Sequence, residues 1–159
     1  MTEQTALASV VRQAGEGEQR WFFGGGVHTW KVRAADSGGA FLCFEDHMEG
    51  GKVTPLHTHP TDESMYVLEG EITVHLDGEE VTVGTGGFFL APRGVPHAFK
   101  VLSSSCRLMC LHTPGSSEDF YLQASEPLAG STREVDFGKI GAAAQASGGM
   151  TIVGPPPFS

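Results

Sequence analysis

The chain contains no asparagine, only three cysteines, and two residues each of tryptophan and tyrosine. Without asparagine, tight turns must rely on glycine, aspartate and proline, and the sequence supplies 22 glycines and 9 prolines. An odd cysteine count excludes complete intrachain pairing. Cys106 and Cys110, four apart in an expected strand, would stand roughly 13 Å from each other, too far to bridge. All three are read as reduced, buried thiols. Positive charge is scarce as well: 10 Lys and Arg against 19 Asp and Glu give a net charge of −9. That balance excludes the footprint that phosphate backbones and anionic membranes require, so no nucleic acid and no membrane is expected as a partner. No apolar run approaches the ~18 residues of a spanning helix, and Met1-Thr2-Glu3-Gln4 opens without a basic stretch leading into an apolar one. A soluble cytoplasmic protein is expected. Disorder is excluded in turn, because 40% hydrophobic and 18% charged residues describe a packed globule.

What is present reads as β structure. A length of 159 residues suits one domain with a single core. The central hundred residues are short apolar runs punctuated by Gly, Pro and Asp, the spacing of an all-β sandwich or barrel. Expected strands cover 27–33, 40–46, 64–68, 71–76, 79–83, 87–91, 97–102 and 107–112. Asp77-Gly78 between two alternating runs signals a two-residue hairpin, with Ile72, Val74 and Leu76 on one face and Val81 and Val83 returning opposite them. The C-terminal part differs: a short helix over 118–123 with Ser116 or Ser117 as cap, a second from Asp136 to Ala146 ended by Gly148-Gly149, and a last short strand before the prolines.

Histidine is plentiful, with seven in the chain. In an extended segment residues two apart point to the same side, so His57 and His59 project together and Glu63 keeps their parity. Pro92-Arg93-Gly94 reads as a tight turn that delivers His97 at the head of the next strand. Three imidazoles and a carboxylate suit a borderline divalent cation, and buried together they need one to satisfy their lone pairs and charge. His75 is read as a surface residue, and His28, His47 and His112 stand outside the pattern. The two tryptophans, Trp21 and Trp30, are expected in edge or interface packing.

These residues fall into two segments, G-x5-H-x-H-x3-E-x6-G from Gly51 to Gly70 and G-x5-P-x-G-x2-H from Gly86 to His97, separated by 71–85. The pattern resembles the two motifs of the cupin superfamily, with Val101 in place of the final Asn of the second. The resemblance implies an all-β cupin fold, a double-stranded β-helix or jelly-roll barrel with short C-terminal helices. It would be a single domain over 1–159, with a barrel core about 27–113, an N-terminal arm 1–26 and a C-terminal extension 114–159. It also implies one divalent transition metal (nickel, iron, manganese or cobalt, with zinc or copper admissible) on His57, His59, Glu63 and His97.

Trp21-Phe22-Phe23-Gly24-Gly25, the run Pro92 to His97 and the ending from Met150 resemble the bacterial quercetin 2,3-dioxygenase-like cupins. That narrower likeness implies an aromatic enol or flavonol opened by dioxygen, with Glu63 as ligand and general base, and a homodimer. Met65 and Phe99, each two residues beyond a ligand, are expected to line the substrate cavity, with Phe41, Phe88, Met109 and His112 as further cavity residues. The helix from Asp136 suits a lid or a dimer contact. The alternatives are a metal-dependent isomerase, cyclase or lyase without redox change, and a cupin that binds a small ligand without turning it over.

Overall fold

The computed structural model describes residues 6–159, so Met1-Thr2-Glu3-Gln4 lies outside the described residues. Strands form two sheets in which every pairing is antiparallel. The larger runs in the order β11 (Ser125–Pro127), β1 (Gln19–Phe22), β2 (Gly26–Val32), β3 (Leu42–Glu49), β10 (Ser105–Thr113), β5 (Asp62–Glu69), β8 (Phe88–Ala91). The smaller runs β12 (Thr151–Gly154), β4 (Leu56–Thr58), β9 (His97–Val101), β6 (Glu71–Leu76), β7 (Glu79–Gly84). From β3 to β10 each strand passes to the other sheet except at the β6–β7 hairpin, which gives the jelly-roll arrangement.

The hairpin between β6 and β7 turns on Asp77 and Gly78, whose φ angles of 54° and 80° are those a two-residue primed turn demands. It sets Ile72 opposite Val83 and Val74 opposite Val81. Ile72 and Val74 are buried, but Val81 is 55% exposed on β7, the edge strand of its sheet. Trp30, Leu42, Phe44, Met48, Val67 and Leu108 fill the interior beside them. Trp30 is therefore a core residue packed on Phe44, not an edge or interface one.

Two helices follow the barrel. The second, α2 (Phe137–Ser147), begins at Asp136, whose carboxylate accepts from the Lys139 N–H, and ends at Gly148 in the left-handed region. The first, α1 (Glu118–Gln123), continues out of a 3-10 turn over Gly115–Ser117. Ser117 stands at its N-terminus without capping it, because its hydroxyl is engaged by Thr61 instead. Among the described residues no helix is long and apolar enough to cross a membrane.

Candidate metal centre

β4 is three residues long and lies against β9, which sets His57 and His97 directly opposite each other, their ring centroids 4.4 Å apart. His59 follows one residue after β4. Glu63 comes from β5 in the other sheet, where its register partners are His112 on β10 and Ala91 on β8. The turn after β8, closed by the Gly94 N–H on the His59 carbonyl, carries the chain back to His97. One nitrogen from each of the three imidazoles and one Glu63 oxygen lie within 4.8 Å of one another, and all four side chains are buried.

The Nδ1 atoms determine which way these rings can bond. His57, His59 and His97 place Nδ1 against the carbonyl oxygens of Pro55, Gly149 and Val95 at 2.7, 2.8 and 2.8 Å. A carbonyl only accepts, so each Nδ1 carries a proton, and in the neutral ring each Nε2 presents a bare lone pair. His59 Nε2 then stands 3.0 Å from Glu63 Oε2, and His97 Nε2 3.3 Å from Glu63 Oε1, lone pair facing lone pair. None of His59 Nε2, His97 Nε2 and Glu63 Oε1 has a hydrogen-bond partner. Buried polar atoms left so are costly unless a cation joins them. At bond lengths of ~2.1 Å, neighbouring ligands at right angles stand ~3.0 Å apart, which is the separation found. The donor set could hold one divalent cation with coordination positions to spare.

Charge is arranged to match. Burial, reinforced by His59 and His97, pushes His57 down to about 3, so its imidazole is neutral. Burial alone would raise Glu63, but the surrounding imidazoles outweigh it and hold the carboxyl well below its ordinary range. His97 moves the other way: burial disfavours its charge, yet the carboxylate of Glu63 overcomes that, so without a metal the space between His97 Nε2 and Glu63 Oε1 draws a proton. A proton and a metal ion compete for the same place.

Behind Glu63 lies a second layer of bonds. His112 Nε2 is 3.0 Å from Glu63 Oε2 and 2.7 Å from the Tyr121 hydroxyl, which itself donates to Glu63 Oε2 at 3.3 Å. Since the carboxylate accepts only, the His112 proton belongs on Nε2, and its Nδ1 accepts from Thr61, which contacts Ser117 at 2.7 Å. Burial lowers His112 and, with the charge of Glu63, raises Tyr121 well above its usual value, so both stay neutral. Cys110, close enough to Glu63 and His112 to count among potential metal donors, is pushed well up by burial and then by Glu63. Cys43 and Cys106 are pushed up to about 11 by burial, and all three thiols are free and buried.

A cavity opens beside the donors, with about 590 Å³ of unfilled space, its mouth included. Met65 and Phe99 line it, as do Phe22, Phe44, Phe120 and Tyr121. Phe137 and Ile140 bring α2 over it. The other expected cavity residues lie elsewhere. Met109 and Phe88 both pair with Tyr66 on the outer face of the large sheet and are 40% and 59% exposed. Strand parity sends them outward, since Phe89 and Cys110, which follow them in sequence, are buried. Phe41 precedes β3 and lies outside the cavity wall, and His112 is behind Glu63 rather than on the cavity surface. His47 is exposed, whereas His75 is half covered by the edge of Phe158. Sequence reasoning missed Tyr121, Phe22 and the cavity role of His28, which lines the wall between Phe22 and Phe44.

Comparison with known proteins agrees with this architecture. The cupin domain family matches residues 44–113, which span β3 to β10 and include all four donors. The chain carries a cupin domain. Quercetin 2,3-dioxygenase of Bacillus subtilis (strain 168) is 32% identical to this cupin over 118 residues, 72% of the chain and 34% of that protein. The HTH-type transcriptional regulator PuuR of Escherichia coli (strain K12) is 31% identical over 74 residues, 46% of the chain and 40% of the regulator. This cupin thus spans about a third to two fifths of the length of these curated relatives. Among solved structures, an RmlC-like cupin from Shewanella frigidimarina NCIMB 400 superposes with a TM-score of 0.57 at 21% identity, over 67% of this chain and 92% of that one. That likeness speaks for the fold alone.

Proposed function

We propose that this cupin is a metal-dependent dioxygenase that opens an aromatic enol of the flavonol type, with His57, His59, Glu63 and His97 holding one divalent transition metal. The observation that carries the reading is the convergence of three bare imidazole nitrogens on one buried carboxylate beside a phenyl-lined cavity. The 32% identity with a quercetin 2,3-dioxygenase supports the substrate class. When bound, the metal supplies Lewis acidity toward the enol oxygen and a route for electrons to dioxygen.

The protein's own groups do the rest. Tyr121 and His112 engage Glu63 Oε2 and so orient the carboxylate that both holds the metal and takes the enol proton. Phe22, Phe44, Phe99 and Phe120 flank a flat ring and exclude water from the opened product. In the overall reaction the two carbon–carbon bonds of the enol carbon break, and that carbon leaves with its oxygen as carbon monoxide. Both atoms of dioxygen end on the carbons it had joined, so no external electron donor is consumed.

Substrate-dependent oxygen uptake with a panel of flavonols tests the reading. Consumption of one dioxygen per flavonol is expected, and turnover that proceeds equally under nitrogen would place the enzyme among non-redox lyases or isomerases instead. We include a homodimer in the proposal: Met109, Tyr66 and Phe88 form an exposed apolar row across β10, β5 and β8 that a second copy could cover. A monomer by light scattering removes that element. A cytoplasmic location belongs to the same proposal.

A further inference from the structure

The cavity contains a second polar cluster, and among the described residues no hydrogen bond or ion pair ties it to the four donors. His28 and Asp46 are register partners across β2 and β3, and His28 Nε2 lies 3.5 Å from Asp46 Oδ2. Lys52, just after β3, sets Nζ 3.3 Å from the same oxygen. The side chains of Asp46 and Lys52 are each 6% exposed, and both line the cavity. A buried ion pair is weak evidence for stability, since desolvation offsets most of its attraction. Its surroundings are also built to receive it. Lys52 Nζ lies 5.2 Å and 5.7 Å from the ring centres of Phe22 and Phe99, and Gly26 leaves the space that a Cβ there would take from Asp46 Oδ1.

The pair is not saturated. An ammonium carries three N–H donors, and the one hydrogen bond found for Lys52 Nζ runs to Asp46 Oδ2, while Asp46 Oδ1 has no partner although it is buried. Spare donors therefore sit beside a spare acceptor, on a pair whose charges cancel. A hydroxyl, which both donates and accepts, completes that set without adding charge. A carboxylate would bring an uncompensated negative charge into a buried site. We propose that Lys52 and Asp46 anchor a phenolic hydroxyl of the substrate away from its chelating enol, and so select polyhydroxylated aromatics over unsubstituted ones. The inference rests on the aromatic-enol reading above.

Anaerobic titration of the metal-loaded protein with 3-hydroxyflavone and with quercetin tests it, read by the absorbance shift of the bound flavonol. The two probes share the chelating enol, and quercetin adds hydroxyls on its other rings. Wild-type protein is expected to bind quercetin ~10-fold or more tighter, the size of a hydrogen bond to a charged group. In Lys52→Met the two affinities should converge. Because that change strips Asp46 of its counterion, Lys52→Met/Asp46→Asn is measured beside it, and the wild-type comparison needs no variant at all. Equal affinity of the two probes for wild type, or an advantage for quercetin that persists in the variants, overturns the anchor and leaves the aromatic-enol reading standing. Binding of neither probe overturns that reading and the anchor with it.

Discussion

Tyr121 shows how far one side chain can reach into the proposed chemistry. Its hydroxyl joins Glu63 Oε2 and His112 Nε2, so it orients the carboxylate without being one of the converging donors. Partners of this kind are worth ~10–100-fold in metal affinity or activity. Tyr121→Phe keeps the ring in its cavity wall and removes only the oxygen, and a loss of that size is expected in a competition titration against a chromophoric chelator. An unchanged affinity would show that Glu63 is held by His112 alone. The donors themselves were legible in the sequence because each pair is local: alternation relates His57 to His59, and a single turn delivers His97. Tyr121 was not, since it approaches Glu63 from a helix 58 residues away. Neither were Asp46 and Lys52, because a one-residue change of register between β2 and β3 would turn Asp46 out of the barrel.

At the scale of elements, α2 does more than close the chain. Phe137 and Ile140 look into the cavity, and the segment leaving the helix presents the Gly149 carbonyl to His59 Nδ1. A side chain at Gly149 would put its Cβ 2.6 Å from the Cβ of Phe120, so only glycine lets that carbonyl come so close. Gly149→Ala is therefore expected to shift the carbonyl, free the His59 ring and weaken metal binding by ~10–100-fold, while the far-UV dichroism of the barrel is kept. Full affinity in this variant would mean that His59 needs no such support. Helix α2 and its cap were readable from Asp136, the apolar spacing and Gly148. The three-residue β4 and β11, and the short β1, were not, because strands this short carry too little alternation to be told from loop. Their pairing is decided by what they meet across the sheet. Phe88 and Met109 were misplaced for a related reason: alternation separates two faces but does not say which one the barrel turns inward.

Across the whole molecule, buried titratable groups set how the fold responds to acid. Burial lowers His28, His57 and His112 below the ordinary histidine value of 6.5 in the folded chain, while Glu63 raises His97 against the opposing effect of burial. For the three lowered groups the unfolded chain binds protons that the folded chain refuses, so each costs stability as pH falls below 6.5. His97 acts in the opposite sense: the stability it adds is present below 6.5 and is lost as pH rises through its folded value. Asp46, depressed by Lys52 and His28 against the opposing effect of burial, contributes stability above 3.8 that goes as pH falls further. With three groups against one, the melting temperature of metal-free protein is expected to fall from about pH 7 to about pH 5, and again below about pH 4. A flat or rising profile between pH 7 and 5 would contradict this balance. The net charge of −9 is summed over the side chains alone, and the decisive charge is a cation held within the barrel. Elemental analysis of the purified wild-type protein beside His57→Ala and His97→Ala tests that claim most directly. The expected result is about one divalent transition metal per wild-type chain and loss of most of it in either variant; a wild type that takes up no metal, or variants that keep the full complement, would contradict a single centre built on His57, His59, Glu63 and His97.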